Sequence, residues 1–308
     1  MLTKLLIEQH IHGAFGIDFN KASVDDVVEL TREMLKIGIG GIFPTLVTDS
    51  LENIQRQIKV IKKASEKQTR DCAKIYGIHL EGIFINPAKK GIHNPAHLLE
   101  PTIENFNKIA DDFIKIVTLA PELCKNYKNN ENLITYLISK GIKVQAGHCV
   151  GGDLAGCSGV THMFNAMEGI SHRKQSTALT GLIDDSITTE IIADGVHVSD
   201  DALKLLFKTK PQDKIILISD SLPCAHSNIS KFIFADETVY FDGEKATSAV
   251  GTLAGSSKLL PDIVQILGKK HMFNPQFVDN PYKYHNIDIK GSIEWDEEYN
   301  IVRVNYEK

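Results

Sequence analysis

Two short apolar runs near the middle of the chain, KVQAGHC and GVTHMFNA, each stop on a histidine, His148 and His162. A strand that ends on an imidazole and runs straight into small polar residues puts a ring at the mouth of a sheet, where ligands are commonly held. Other apolar runs end on the same chemistry: LLIEQHIHG carries His10 and His12, IYGIHLEG ends with Glu81, TTEIIADGVHV carries His197, and KIILISDS carries Asp220. Imidazole and carboxylate suit zinc or ferrous iron, whereas calcium and magnesium sites are built mostly from oxygen. The expectation is that His148, His162 and Glu81 converge on one divalent ion. H-x-H places two rings on one face of a strand, although so short a string also arises by chance. Asp220 reads either as a helix N-cap before Pro223 or as a general base for an attacking water. A lone strand histidine is more often structural. What favours ligation is the recurrence of such residues at the same end of separate predicted strands. His79, His97, His172, His226, His271 and His285 read as surface or structural, and Cys149 as a buried neutral thiol.

The elements that would position these side chains alternate. After LLIEQHIHG, Ser23 can cap a helix whose Val24, Val27, Val28, Thr31 and Leu35 keep helical spacing until Gly38. GIGGIFPTLVT is the second strand, and Ser50 opens a helix striped by Leu51, Ile54, Ile58 and Ile61. IYGIHLEG, FIKIVTLAPE, KVQAGHC, GVTHMFNA, TTEIIADGVHV and KIILISDS continue the strands. Helices are predicted from Thr102, over Leu133 to Ile138 closed by Gly141, from Ser199, and around Leu259 to Leu267. Strict alternation implies parallel strands, and eight units are the number that closes an α/β (β/α)8 TIM barrel; a doubly wound sheet is the alternative. Only a short, glycine-weakened helix fits between His148 and His162. Beyond residue 271, NIDIKGSIEW and YNIVRV read as two antiparallel strands around DEE, a reduced small β segment at the C-terminus. The expected domains are the barrel, 1–271, and a remnant of a small β domain, 272–308.

The 308 residues are 43% hydrophobic and 24% charged, with a formal charge of −5, which gives no basic field for nucleic acid. Five cysteines without a C-x-x-C pair argue for reduced thiols. The opening MLTKLLIEQHIHG is too polar for a signal segment and no apolar stretch reaches membrane length. A cytoplasmic protein is expected, without a membrane partner.

HLEG followed by KKGIHNP, then TLAPE, GH at 147–148, THMFNAM, IIADGVHV, the Asp of SDS and GTLAGS occur in this order. The set resembles the N-acetylglucosamine-6-phosphate deacetylases of the amidohydrolase superfamily from His10 to about Ser257. The resemblance implies a metal-dependent enzyme that removes the acetyl group of N-acetylglucosamine 6-phosphate, giving acetate and glucosamine 6-phosphate. By matching motif, Glu81, His148 and His162 hold the main divalent ion, zinc or Fe(II), and His10 and His12 add a second in relatives that use two. Asp220 is then the general base and acid. His93 contacts the substrate near its carbonyl, and Asn165, Ala166, Arg173 and His197 hold the sugar phosphate. A homodimer is implied, with the partner contributing to the phosphate site. A catalytically impaired relative that binds an amino-sugar phosphate, and an amidohydrolase acting on another amide, are the alternative readings.

Departures from the family pattern are specific. Glu8 stands where Asp is common before H-x-H, Ile83 replaces the Pro of HLEGPF, Cys149 replaces Ser, and KQST follows Arg173 in place of proline and glycine. Relatives usually carry several dozen residues of β structure before the first barrel strand, so the small domain is expected to be reduced. No role is assigned to Glu122.

Overall fold

Eight parallel strands follow one another around a barrel in a computed structural model that describes residues 1–126 and 132–306. They are β1 (Leu6–Ile11), β2 (Ile39–Leu46), β3 (Ile78–Glu81), β4 (Ile114–Leu119), β5 (Lys143–Ala146), β6 (Gly159–Val160), β7 (Thr188–Ile192) and β8 (Ile215–Ile218). Each is buried along almost its whole length, as expected of strands packed on both faces. Outside them lie α1 (Val24–Lys36), α2 (Leu51–Lys67), α3 (Ile103–Asn107), α4 (Leu133–Ser139), α5 (Thr177–Ile183), α6 (Asp200–Thr209) and α7 (Leu260–Lys269). The cap residues do what their types dictate: Ser23, Ser50, Thr102 and Ser199 each accept an N–H from the first turn of α1, α2, α3 and α6. No helix forms between β5 and β6.

The eight-stranded ladder is nearly closed. Between β8 and β1 the seam is made at the carboxyl ends: the Asp220 N–H donates to the His10 carbonyl at 2.9 Å, and the His12 N–H donates to the Ser221 carbonyl at 3.0 Å. Lower down, the buried Glu8 carboxylate accepts the Ser219 N–H at 3.1 Å and so stands in for a missing ladder bond. At the amino ends the closing piece is α8 (Gln276–His285). Its Asn280 amide donates to the carbonyls of Ile215 and Gln212, at 2.6 and 2.7 Å, and its Tyr282 hydroxyl to that of Leu5 at 2.7 Å.

Two antiparallel sheets flank the barrel. Gly291–Trp295 pairs with both Ile301–Tyr306 and Leu2–Lys4, so this three-stranded sheet takes strands from both chain ends. The other follows β8 and has four strands, Lys231–Phe234, Glu237–Phe241, Ala246–Ser248 and Leu253–Gly255. It differs from the sequence reading, which ran from β8 directly to α7. Its first hairpin turns at Ala235 and Asp236, both with positive φ (49° and 64°), a type I′ geometry normally announced by Asn-Gly or Asp-Gly. Neither dipeptide is there to give the signal. α8 was also not anticipated, because Pro281 lies inside it and proline ordinarily argues against a helix interior.

Candidate active site

The side chains singled out from the strand ends gather at the carboxyl face of the barrel. Glu81 is the last residue of β3 and His10 lies within β1, with His12 one residue beyond it. His148, His162 and Asp220 each sit two residues past a strand, and all three have left-handed backbone, φ 47°, 29° and 52°. A non-glycine residue holds that conformation only where its surroundings impose it, at a cost of about 1–3 kcal/mol. β7, by contrast, stops at Ile192, and His197 belongs to the loop after it rather than to the strand end. The chain turns there because the Asp194 carboxylate accepts the N–H groups of Val196 and His197, both at 2.9 Å.

Glu81 is the hub. Its Oε1 lies 2.9 Å from His162 Nε2 and 3.3 Å from His148 Nε2, and its Oε2 lies 3.0 Å from His12 Nε2 and 3.3 Å from His10 Nε2. Asp220 Oδ1 faces the same two rings, 3.2 Å from His12 Nε2 and 3.5 Å from His10 Nε2. All these residues but Asp220 are buried. Burial alone would raise the Glu81 pKa, but the charge of the nearby His10 ring and hydrogen bonds from His12 and His148 hold it well below the carboxylate range. Asp220 is likewise lowered, burial being outweighed by His10 and by a hydrogen bond from His12. The same carboxylates overcome burial at His12 and raise it to about 9.

The donor set fits a divalent cation. His148 Nδ1 donates to the Lys89 carbonyl at 2.7 Å, His10 Nδ1 faces Glu190 Oε2 at 3.1 Å, and His12 Nδ1 faces the Thr45 carbonyl at 3.3 Å. Spending the Nδ1 proton outward leaves each neutral ring with an Nε2 lone pair aimed at Glu81, as in metal-ligating histidines. His10 Nε2 is buried without hydrogen-bond geometry to any neighbour, a cost that a cation removes. His10, His12, Glu81 and Asp220 form one group able to share an ion, and Glu81, His93 and His148 another.

Thr48 holds His93 in place. The Ile83 N–H donates to Thr48 Oγ1 at 2.9 Å, and the Thr48 hydroxyl is hydrogen-bonded to His93 Nδ1 at 2.7 Å. Burial, with the His148 charge, keeps His93 well below the usual imidazole range, hence neutral. The contact requires Gly82, because a Cβ there would lie 2.0 Å from Thr48 Oγ1.

These groups open into a cavity of about 330 Å³ whose wall includes His12, Glu81, His93, His148, His162, Asn165, Ala166, His197 and Asp220. Phe234 and Leu253 of the four-stranded sheet, with Val47 and Ile92, add apolar surface to it. Phe234 packs edge-on against the His12 ring, centroids 5.2 Å apart. Arg173 is not brought to this wall; it is exposed, with its Nε–H donating to His172 Nε2 at 3.0 Å. Sequence reasoning missed Thr48, Lys89, Glu190 and Phe234. Glu122 acquires a position: its Oε1 accepts the Asn86 amide at 2.8 Å and the Val150 N–H at 2.9 Å, tying together the loops that follow β3 and β5. His79, buried, and His285, partly buried, are structural groups, both driven down to about 3 by desolvation and bonded to Gln9.

A parallel barrel that collects histidines and carboxylates at the carboxyl ends of its strands has the architecture of a TIM barrel with a candidate metal centre at that face. The chain belongs to the amidohydrolase family, a metal-dependent family whose model matches residues 6–302. It is 33% identical over 263 residues to N-acetylglucosamine-6-phosphate deacetylase of Bacillus subtilis, an alignment covering 82% of this chain and 65% of that protein. It is 28% identical over 267 residues to N-acetylgalactosamine-6-phosphate deacetylase of Escherichia coli O157:H7, covering 83% and 69%. The crystal structure of N-acetylglucosamine-6-phosphate deacetylase from Pasteurella multocida superposes with a TM-score of 0.87 at 26% identity, over 99% of this chain and 85% of that one. The chain thus spans about two thirds of the length of the Bacillus relative. Among the described residues no helix is long and apolar enough to cross a membrane.

Proposed function

We propose that this chain hydrolyses the acetamide of N-acetylglucosamine 6-phosphate, releasing acetate and glucosamine 6-phosphate. The observation that carries the reading is the convergence of Glu81, His148 and His162, from three distant segments, beside Asp220 and His93 in one cavity. The names of the relatives supply the substrate class. Glu81, His148 and His162 would hold a divalent ion, zinc or Fe(II), and His10 and His12 with Asp220 a second. A divalent ion so held lowers the pKa of water and polarises an amide carbonyl.

The chain's own groups do the remainder. Asp220, mostly buried at the cavity wall, takes the proton of the attacking water and returns it to the amine nitrogen, a poor leaving group until protonated. His93 donates its Nε2–H to the oxygen that gains charge as the carbonyl carbon becomes tetrahedral. Asn165, Ala166, Arg173 and His197 would orient the sugar phosphate, so that binding energy remote from the reacting bond aligns it. We read residues 1–271 as the catalytic barrel, residues 272–308 as what is left of a small β domain, the assembly as a homodimer, and the compartment as cytoplasmic. Five free cysteines, all buried, suit such a reducing compartment.

The test is acetate release from N-acetylglucosamine 6-phosphate by zinc- or iron-loaded protein, alongside Asp220→Asn. The expected loss in the variant is about 10²- to 10⁴-fold in kcat, the span of general acid–base catalysis. Wild-type protein that binds the sugar phosphate and releases no acetate with either metal would instead mark a binding relative.

A further inference from the structure

Gln9 and His10 are neighbours on β1, and successive side chains of a regular strand point to opposite faces. Both nevertheless reach one buried carboxylate: the Gln9 amide donates to Glu190 Oε1 at 2.5 Å, and His10 Nδ1 faces Glu190 Oε2 at 3.1 Å. The ladder between β1 and β2 slips between Glu8 and Ile11, where the strand gives up its regular alternation. A carboxylate only accepts, so Gln9 turns its NH2 group towards Glu190 and its carbonyl oxygen away. That oxygen meets His285, the last residue of α8, whose Nε2–H donates to it at 2.8 Å. Phe43 of β2 lies against the same imidazole, ring centroids 4.3 Å apart. A line of hydrogen bonds therefore runs through the barrel interior, from α8 at the amino ends through His285, Gln9 and Glu190 to His10 at the metal face.

Closing the end of the barrel does not require such a line. An apolar filler would do it at lower cost, since buried polar groups offset their desolvation only when fully bonded. What the line supplies is placement. A ligating ring is aimed by the group that holds its other nitrogen, and that group is only as well placed as its own partners. Glu190 is the group behind His10, and Gln9 joins it to α8.

We propose that Gln9 and His285 are positioning residues for the metal centre, fixing the Glu190 carboxylate behind His10 so that α8, at the opposite end of the barrel, sets the affinity for the ion that His10 holds. This deepens the proposed function and rests on its metal centre, though not on the identity of its substrate.

The test is zinc binding by the full chain in competition with a chromophoric chelator, the step lost in His10→Ala being that of the His10 ion. His285→Leu keeps an apolar contact for Phe43 and removes the N–H. It is expected to weaken the His10 ion about 3- to 10-fold, below the 10- to 100-fold typical of a group that touches the ligand itself. His285→Gln, which offers an N–H to the same oxygen, should restore the affinity. In a Glu190→Gln background His285→Leu should add little, because both act along one path. A residue that only plugs the barrel would lower the Tm of metal-free protein and leave the zinc affinity of the folded variant unaltered. That result, failure of His285→Gln to rescue, additive losses in the double variant, or wild-type protein with no ion at His10 would each overturn the proposal. If His285→Leu does not fold, Gln9→Met breaks the line at its next member and should weaken the same ion; unchanged affinity there would overturn the proposal equally. The measurement needs no turnover, so a wild type that binds zinc and releases no acetate counts against the deacetylase reading alone.

Discussion

His148 and His162 bring their Nε2 atoms to within 3.1 Å of one another, and both stand over Glu81 Oε1. The Nδ1 of His148 is committed to the Lys89 carbonyl, so a neutral His148 ring offers a lone pair at Nε2. Two nitrogens at that separation need a proton or a cation between them, and the carboxylate beneath favours the cation.

The arrangement predicts that a divalent ion stabilises the folded chain. With free ion at about 1,000 times its dissociation constant, linkage contributes about 4 kcal/mol. For a domain of this size that raises Tm by about 5–10 °C. Thermal unfolding after dialysis against a chelator, and again after adding zinc, measures it. Identical Tm in both states, with no metal found by elemental analysis, would remove the ligand assignment.

Much of this was legible in the sequence, and what was not has physical reasons. Glu81, His148, His162 and Asp220 stood out because each ends an apolar run, and in a parallel barrel those ends share one face. Thr48 gave no such signal, since a threonine after a strand is ordinary. It becomes informative only when Gly82 lets His93, forty-five residues downstream, come within 2.7 Å. Glu190 lay inside a run read as strand seven, where an interior carboxylate looks like an interruption until β1 places His10 and Gln9 against it. Glu122 was named but left without a role because both of its partners, Asn86 and Val150, are loop groups. Pairing across loops leaves no periodicity to read.

Thr48→Val tests the tautomer of His93. Valine keeps the volume and removes the hydroxyl, leaving the Ile83 N–H without its acceptor and His93 Nδ1 without its hydrogen-bond partner. If His93 acts by donating from Nε2, kcat should fall by about 10- to 100-fold with KM nearly unchanged, because the lost interaction belongs to the transition state. Thr48→Ser should recover most of the rate. Failure of serine to rescue a folded variant, or a loss confined to KM, would assign Thr48 a packing role only.

Glu190→Gln addresses the support behind the ligands. The buried Glu190 carboxylate faces His10 Nδ1 at 3.1 Å and accepts the His162 N–H at 3.4 Å, so it braces groups from β1 and from the loop after β6. Carboxylates behind metal-bound imidazoles raise ligand basicity and fix the ring, and their loss typically costs about 10- to 100-fold in metal affinity. Competition titration against a chromophoric chelator reads this directly. Unaltered affinity for both ions would show that His10 needs no such brace.

Outside the centre, His226 and Asp262 predict a stability that depends on pH. His226 Nε2 lies 2.8 Å from Asp262 Oδ2 and joins the loop after Asp220 to the first turn of α7. The hydrogen bond to Asp262 raises the His226 pKa against the opposing effect of burial. For Asp262, burial is outweighed by the bonds from His226 and the Leu259 N–H, and its pKa falls. A raised histidine contributes fully below its unfolded pKa, about 6.5, and the contribution is lost as pH rises through the folded value. A lowered aspartate contributes above about 3.9 and is lost as pH falls through its folded value. The pair is therefore strongest between about pH 4 and 6.5. Both side chains are about one-third exposed, so solvent screening limits the gain to about 0.5–1 kcal/mol. His226→Gln should lower Tm by about 1–2 °C at pH 5.5 and by distinctly less at pH 9. An equal shift at the two pH values would mean that the contact contributes through packing rather than charge.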